Sequence, residues 1–140
     1  MKLPTKDEIN VYNSLDENTA LKHFYNKTLQ EIEVLFRDYG LDYCQDLMWM
    51  GPVAFNFYLQ AVINYLESEY SADDSDVINC LYSVIKYRWN ENEFVLAINR
   101  VNKAIVYIID NYEKFEIDNS IYGDLLSKYK ILYTELKDRS

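Results

Sequence analysis

The sequence contains little glycine, proline, histidine and cysteine: three, two, one and two residues in a chain of 140. Sandwiches and barrels of short strands need glycine and proline at their many turns, so this composition favours few, long elements. Three isolated glycines cannot form a Walker or dinucleotide-binding loop, and a single histidine excludes two-histidine metal sites. We therefore expect no catalytic residues, no cofactor and no metal, and interpret the protein as a non-enzyme.

Long apolar runs and a secretory signal are also lacking. The longest apolar stretches fall well below the ~20 residues that span a bilayer, and the start, MKLPTKDEIN, has no apolar core. These features predict a cytoplasmic protein that does not enter a membrane. Cys44 and Cys80 lie in apolar segments, which favours buried free thiols over a disulfide, although the disulfide stays open as the alternative.

The apolar residues that are present recur at helical spacing, which predicts an all-α fold: a single domain over residues 1–140, built as an irregular bundle of about six helices. Capping boxes at Thr5–Glu8 and Thr28–Glu31 predict two helix starts. We expect the first of these helices to run to about Leu15 and the second to end at Gly40. The Gly51-Pro52 pair predicts a break and a new start.

The second half of the chain shows the same period. Asp74 or Ser75 is placed to cap a helix that ends near Trp89, and the longest and most regular apolar stripe of the chain, from Phe94 to Tyr112, predicts a further helix. For the last helix we expect six residues to face the core: Ile121, Leu125, Tyr129, Leu132, Tyr133 and Leu136.

Charge is distributed unevenly along the chain, whose net charge is −9. No lysine or arginine occurs between Asp38 and Ile85, a stretch with eight acidic residues and six of the fourteen tyrosines. An acidic surface repels nucleic acid and anionic lipid and attracts cationic proteins. We predict a basic protein partner, no direct nucleic-acid contact, and ten partner-binding residues: Asp42, Asp46, Glu67, Glu69, Tyr70, Asp73, Asp74, Asp76, Glu91 and Glu93.

Two segments carry a resemblance to known proteins. Residues 24–33, FYNKTLQEIE, and 46–68, DLMWMGPVAFNFYLQAVINYLES, resemble a group of small uncharacterised bacterial helical proteins. More loosely, the size, the acidity and the lack of catalytic motifs are similar to the immunity proteins of bacterial toxin systems. That likeness implies binding to a cognate toxin domain, many of which are basic nucleases, and neutralisation by occupying the cationic active site.

Three functional hypotheses follow from these features. The first is an immunity-type inhibitor that binds a basic toxin through an acidic face. The alternative is a structural or adaptor module, or a homo-oligomer, in which Trp49, Met50 and residues 55–58 form an exposed apolar patch. A third is an enzyme that uses carboxylate pairs, such as Asp42 with Asp46, and a divalent cation.

Overall fold

The computed structural model describes residues 2–139, and all of its regular elements are helical. It contains eight α-helices: α1 (Lys6–Ile9), α2 (Leu15–Phe24), α3 (Leu29–Trp49), α4 (Pro52–Glu67), α5 (Ser75–Arg88), α6 (Ile98–Asp110), α7 (Asn119–Tyr122) and α8 (Leu125–Arg139). Short 3₁₀ turns occur at Glu69–Ser71, Asn92–Leu96 and Tyr112–Phe115. Within residues 2–139, no helix has the length and apolarity needed to cross a membrane.

The central helix is α4, which is apolar around most of its circumference. Its residues Phe55, Leu59, Val62, Ile63 and Leu66 are buried as their spacing predicts. Helix α3 packs against α2, α4 and α5, while α6 packs against α4 and α8. The all-α prediction is therefore confirmed, and α3 lies between α4 and α5, which both contribute many buried side chains to the core.

Several helix starts follow the local sequence signals. Capping boxes are present at Thr5 and Thr28, and Asp74 caps α5 by accepting a hydrogen bond from the Val77 amide. Pro52 occupies the first turn of α4. A further capping box, Ser14 with Glu17, begins α2. This last signal separates α1 from α2, so the prediction of one helix from Thr5 to about Leu15 is wrong.

Three other sequence expectations need correction. The predicted break lies one residue before Gly40, at Tyr39 (φ −130°, ψ 31°), where a kink divides α3 into two helical parts, and Gly40 itself is not a left-handed helix cap. Ile121 is 69% exposed, since it lies on the short α7 rather than in α8. Met50, Phe55 and Tyr58 are buried, so the predicted apolar patch is reduced at the surface to Trp49, which is 37% exposed, and the half-buried Phe57.

Distant side chains close the carboxyl ends of α2, α3, α4 and α5. Such ends often terminate on a glycine, which this chain largely lacks. Here the donors come from later elements. The contacts are Tyr58 Oη to Phe24 O (2.8 Å), Arg88 Nη1 to Met50 O (2.7 Å), Lys114 Nζ to Leu66 O (2.8 Å) and Arg139 Nη1 to Trp89 O (2.7 Å).

Candidate functional site: an acidic groove

The predicted acidic residues meet in part at one recess of about 470 Å³, which we call the acidic groove. One wall is the kinked part of α3, residues 36–42, and the other is formed by residues 72–76 with Tyr65 and Tyr70. Its carboxylates are Asp38, Asp42, Asp73, Asp74 and Asp76. With the guanidinium of Arg37 as the single basic group, the lining has a net charge of −4.

The groove owes its narrow base to Gly40, which is buried inside α3. A Cβ atom at this position would lie 2.8 Å from Val77 Cγ2 and 3.0 Å from Asp74 Oδ2. The missing side chain lets the beginning of α5 approach the kink closely. Gly40 therefore brings acids from two distant chain segments to the same place.

Two of the groove carboxylates also hold the fold together. Asp74 accepts hydrogen bonds from the Val77 amide (3.3 Å) and from the Tyr65 hydroxyl (2.6 Å). Burial and this bond to Asp74 raise the pKa of Tyr65, which keeps its hydroxyl protonated. Asp76 accepts a hydrogen bond from the Tyr122 hydroxyl. The conformation of this wall is thus fixed by side-chain contacts before any partner arrives.

Most polar and aromatic side chains of the groove face solvent. Asp38, Asp42, Asp73 and Asp76 are exposed, and Tyr39 and Tyr70 are about half exposed, at 54% and 50%. The guanidinium of Arg37 stacks on the Tyr70 ring, with Cζ 3.7 Å from the ring centroid. A stacked arginine keeps the tyrosine ring oriented. The groove therefore presents exposed carboxylates beside tyrosine rings, of which Arg37 orients that of Tyr70.

Asp46 differs from the other predicted residues because it is only 5% exposed. Its Oδ2 lies 2.5 Å from Nδ1 of His23, whose ring stacks on Tyr43. Burial raises the pKa of Asp46 to about 6, although the hydrogen bond from His23 opposes that shift. Asp46 joins α2 to α3 and does not reach the acidic groove.

The other four predicted acids also lie outside the groove. Glu67 and Glu69 are exposed at the end of α4 and in the following 3₁₀ turn. Glu91 pairs with Arg88 (2.9 Å), and Glu93 is exposed beyond α5. The structure thus unites Asp42, Tyr70, Asp73, Asp74 and Asp76 and separates the rest.

The sequence-based site missed Arg37, Asp38 and Tyr39, which all line the groove. Asp38 and Asp42 are four residues apart and so share a helix face, a signal that the sequence offers. Arg37 and Tyr39 line the groove because of the kink in α3, and no local sequence pattern indicates their place there. The groove is consequently more aromatic than the list of acids suggested.

The sequence also left open a metal site and a disulfide. No cluster of three or more His, Cys, Asp or Glu side chains in residues 2–139 is arranged to hold a metal ion. Cys44 and Cys80 are buried and free, and a hydrogen bond between the two thiols raises the pKa of Cys44 and lowers that of Cys80.

The chain has no significant match among protein-family models, curated proteins or solved structures.

Proposed function

We propose that the protein binds a basic protein through the acidic groove and inhibits it, as immunity proteins of bacterial toxin systems do. The observation that carries this proposal is the convergence of four exposed aspartates and two half-exposed tyrosines in one recess. Carboxylates speed the encounter with a cationic partner, and tyrosine rings supply contact area once it has docked.

The fixed wall of the groove supports the same function. Asp74 and Asp76 are held by Tyr65 and Tyr122, and Tyr70 is held by Arg37. An interface that is already ordered loses less conformational entropy on binding than a flexible one. A toxin whose active site is cationic, such as a nuclease that binds phosphates, has the charge that this groove complements.

Two matched variants test the proposal. The groove variant carries Asp38→Asn, Asp42→Asn, Asp73→Asn and Asp76→Asn, which keeps the Asp74 cap. The surface control carries Asp110→Asn, Glu113→Gln, Glu116→Gln and Asp138→Asn, four exposed positions that do not line the groove. Both variants lose four negative charges, so any difference between them reports the position of the charge.

The candidate partner is the product of the gene adjacent to the one that encodes this chain, purified and immobilised on a sensor surface. We expect the wild type to bind it, and the groove variant to associate about tenfold or more slowly at low salt, whereas the control changes little. The difference should shrink as salt rises. Equal binding by the two variants, or no binding by the wild type, would contradict the proposal.

A further inference from the structure

A second recess lies at the other end of the α3–α5 pair, which we call the aromatic cleft. Its volume is about 560 Å³. Its apolar lining includes Val11, Tyr12, Trp49, Pro52 and Tyr87. The fourteen residues of α5 separate the cleft from the acidic groove, a distance of about 20 Å at the helical rise. The two recesses are therefore distinct sites.

The loop that carries Tyr12 is held rigidly by the buried carboxylate of Glu17. This group accepts hydrogen bonds from the amides of Val11 (2.7 Å), Tyr12 (2.9 Å) and Ser14 (3.2 Å). Hydrogen bonds from Tyr12, Ser14 and Val11 hold the pKa of Glu17 below its usual value, although burial, the largest single influence, opposes them. The Glu17 carboxylate therefore binds the backbone amides of this loop.

The floor of the cleft is fixed by a second buried charge, Arg88. Its guanidinium is 1% exposed and donates to the carbonyls of Leu47 (2.9 Å), Met48 (3.1 Å) and Met50 (2.7 Å). Its Nε donates to Glu91. Glu17 is bonded to backbone amides, and Arg88 is bonded to backbone carbonyls and to Glu91, so neither is free to meet a ligand and both make the cleft stiff.

Against this stiff frame the apolar groups are unusually exposed. Tyr12 is 86% exposed, Tyr87 is 58% exposed, and the Trp49 ring packs edge-on against Tyr87 with centroids 5.1 Å apart. Leu15 and Val53 extend the exposed apolar surface beside the cleft. Aromatic side chains are frequent anchors of protein interfaces.

The charges around the cleft define the partner. Four carboxylates and one guanidinium line it, a net charge of −3. Glu17 is bonded to amides and Glu91 to Arg88, which leaves Asp16 and Glu93 exposed to solvent at the rim. An apolar recess with free carboxylates at its edge complements a segment that carries apolar and basic residues together.

We infer that the aromatic cleft docks a protein segment that places an apolar or aromatic side chain between Tyr12 and the Trp49–Tyr87 pair. Arginine or lysine residues on either side of that anchor meet Asp16 and Glu93. This interaction does not depend on the acidic groove, and it differs in character because the apolar contact dominates it.

The probe is an eight-residue peptide in which leucine and phenylalanine lie between two arginines. Two matched peptides replace the arginines with glutamate, or the leucine and phenylalanine with serine. Binding is followed by the NMR shift of the Trp49 indole N–H in the full chain, with the Trp89 indole, which lies outside the cleft, as internal reference. We expect the basic apolar peptide to produce a saturable shift and to bind about tenfold more tightly than either matched peptide.

Variants at exposed positions separate the two contributions without risk to the fold. Tyr12→Ser should weaken the basic apolar peptide about fivefold or more at every salt concentration, because it removes an apolar contact. Asp16→Asn with Glu93→Gln should weaken it mainly at low salt. Ile131→Ser, which removes a 60% exposed apolar side chain of α8, should have no effect.

Three results would overturn the inference. Equal binding of the arginine and glutamate peptides would remove the role of the rim charges. A shift of the Trp89 indole equal to that of Trp49 would show contact without a defined site. Self-association in sedimentation experiments that Tyr12→Ser abolishes would mean that a second copy of the chain, rather than a basic partner, occupies the cleft.

Discussion

Replacing Arg88 with methionine should destabilise the protein more than any surface change, because this one side chain closes the end of α3. Methionine keeps the unbranched apolar part of the side chain but is shorter and has no hydrogen-bond donor. The carbonyls of Leu47, Met48 and Met50 would then lose the guanidinium that lies 2.7–3.1 Å from them. Glu91 would lose its ion-pair partner as well.

The size of the effect follows from these contacts. Leaving a buried acceptor unpaired costs about 1–3 kcal/mol, and removing one member of a buried charged network costs about 3–5 kcal/mol in total. The cation–π contact of Arg88 with Phe55, at 4.5 Å, adds to the loss. We therefore expect Arg88→Met to lower the free energy of unfolding by about 3–5 kcal/mol, a large part of the ~5–15 kcal/mol typical of a domain.

Urea unfolding followed by circular dichroism and tryptophan fluorescence measures this change. Arg139→Met is the matched control, because Arg139 is exposed and donates to one carbonyl, that of Trp89. It should cost about 1 kcal/mol or less. Arg88→Lys, which keeps the charge and three donors, should lie between the two. A loss below about 1 kcal/mol for Arg88→Met would refute the claim that Arg88 closes α3.

Three further predictions concern Asp46, Gly40 and Lys114. Because burial raises the pKa of Asp46, its contribution to stability is fully present below its unfolded pKa of 3.8 and is lost as pH rises through about 6. Asp46→Asn should therefore gain stability relative to the wild type between pH 4 and 7 in urea titrations, and a constant difference would contradict this. Gly40→Ala should lower the melting temperature although alanine favours helices by about 1 kcal/mol, because its Cβ would clash with Val77; a higher melting temperature would disprove the close approach. Lys114→Met should cost about 1–3 kcal/mol, whereas Lys103→Met, at an exposed position, should cost almost nothing in the same assay.

The helical class and most helix starts could be predicted because their causes are local. A capping box needs only two residues three positions apart, as at Thr28 and Glu31, and an apolar stripe such as that of α4 needs only its own period. Gly40 located the break in α3 to within one residue of the kink at Tyr39, but the local sequence does not show why a glycine stands there. The reason is the close approach of Val77, which lies in another helix.

The candidate site could be predicted only in part, for the same reason. Asp38, Asp42 and Asp46 recur every four residues, and this spacing places them on one face of α3. Asp38 and Asp42 are exposed, but α2 covers Asp46 and supplies His23 as its partner. Whether an acidic residue of such a stripe stays exposed therefore depends on how a neighbouring helix packs against it. The spacing of residues along the sequence does not predict that packing.

The closure of helix ends by distant side chains also sets an order of events during synthesis. Arg88 follows Met50 by 38 residues, so at ~5–20 residues per second the end of α3 stays open on the ribosome for about 2–8 s. In the same way α4 closes α2, Lys114 closes α4, and α8 closes α5. Each of these four helices is thus completed by a segment that is synthesised later. The nascent chain therefore acquires these native helix ends one after another, from the amino terminus onward.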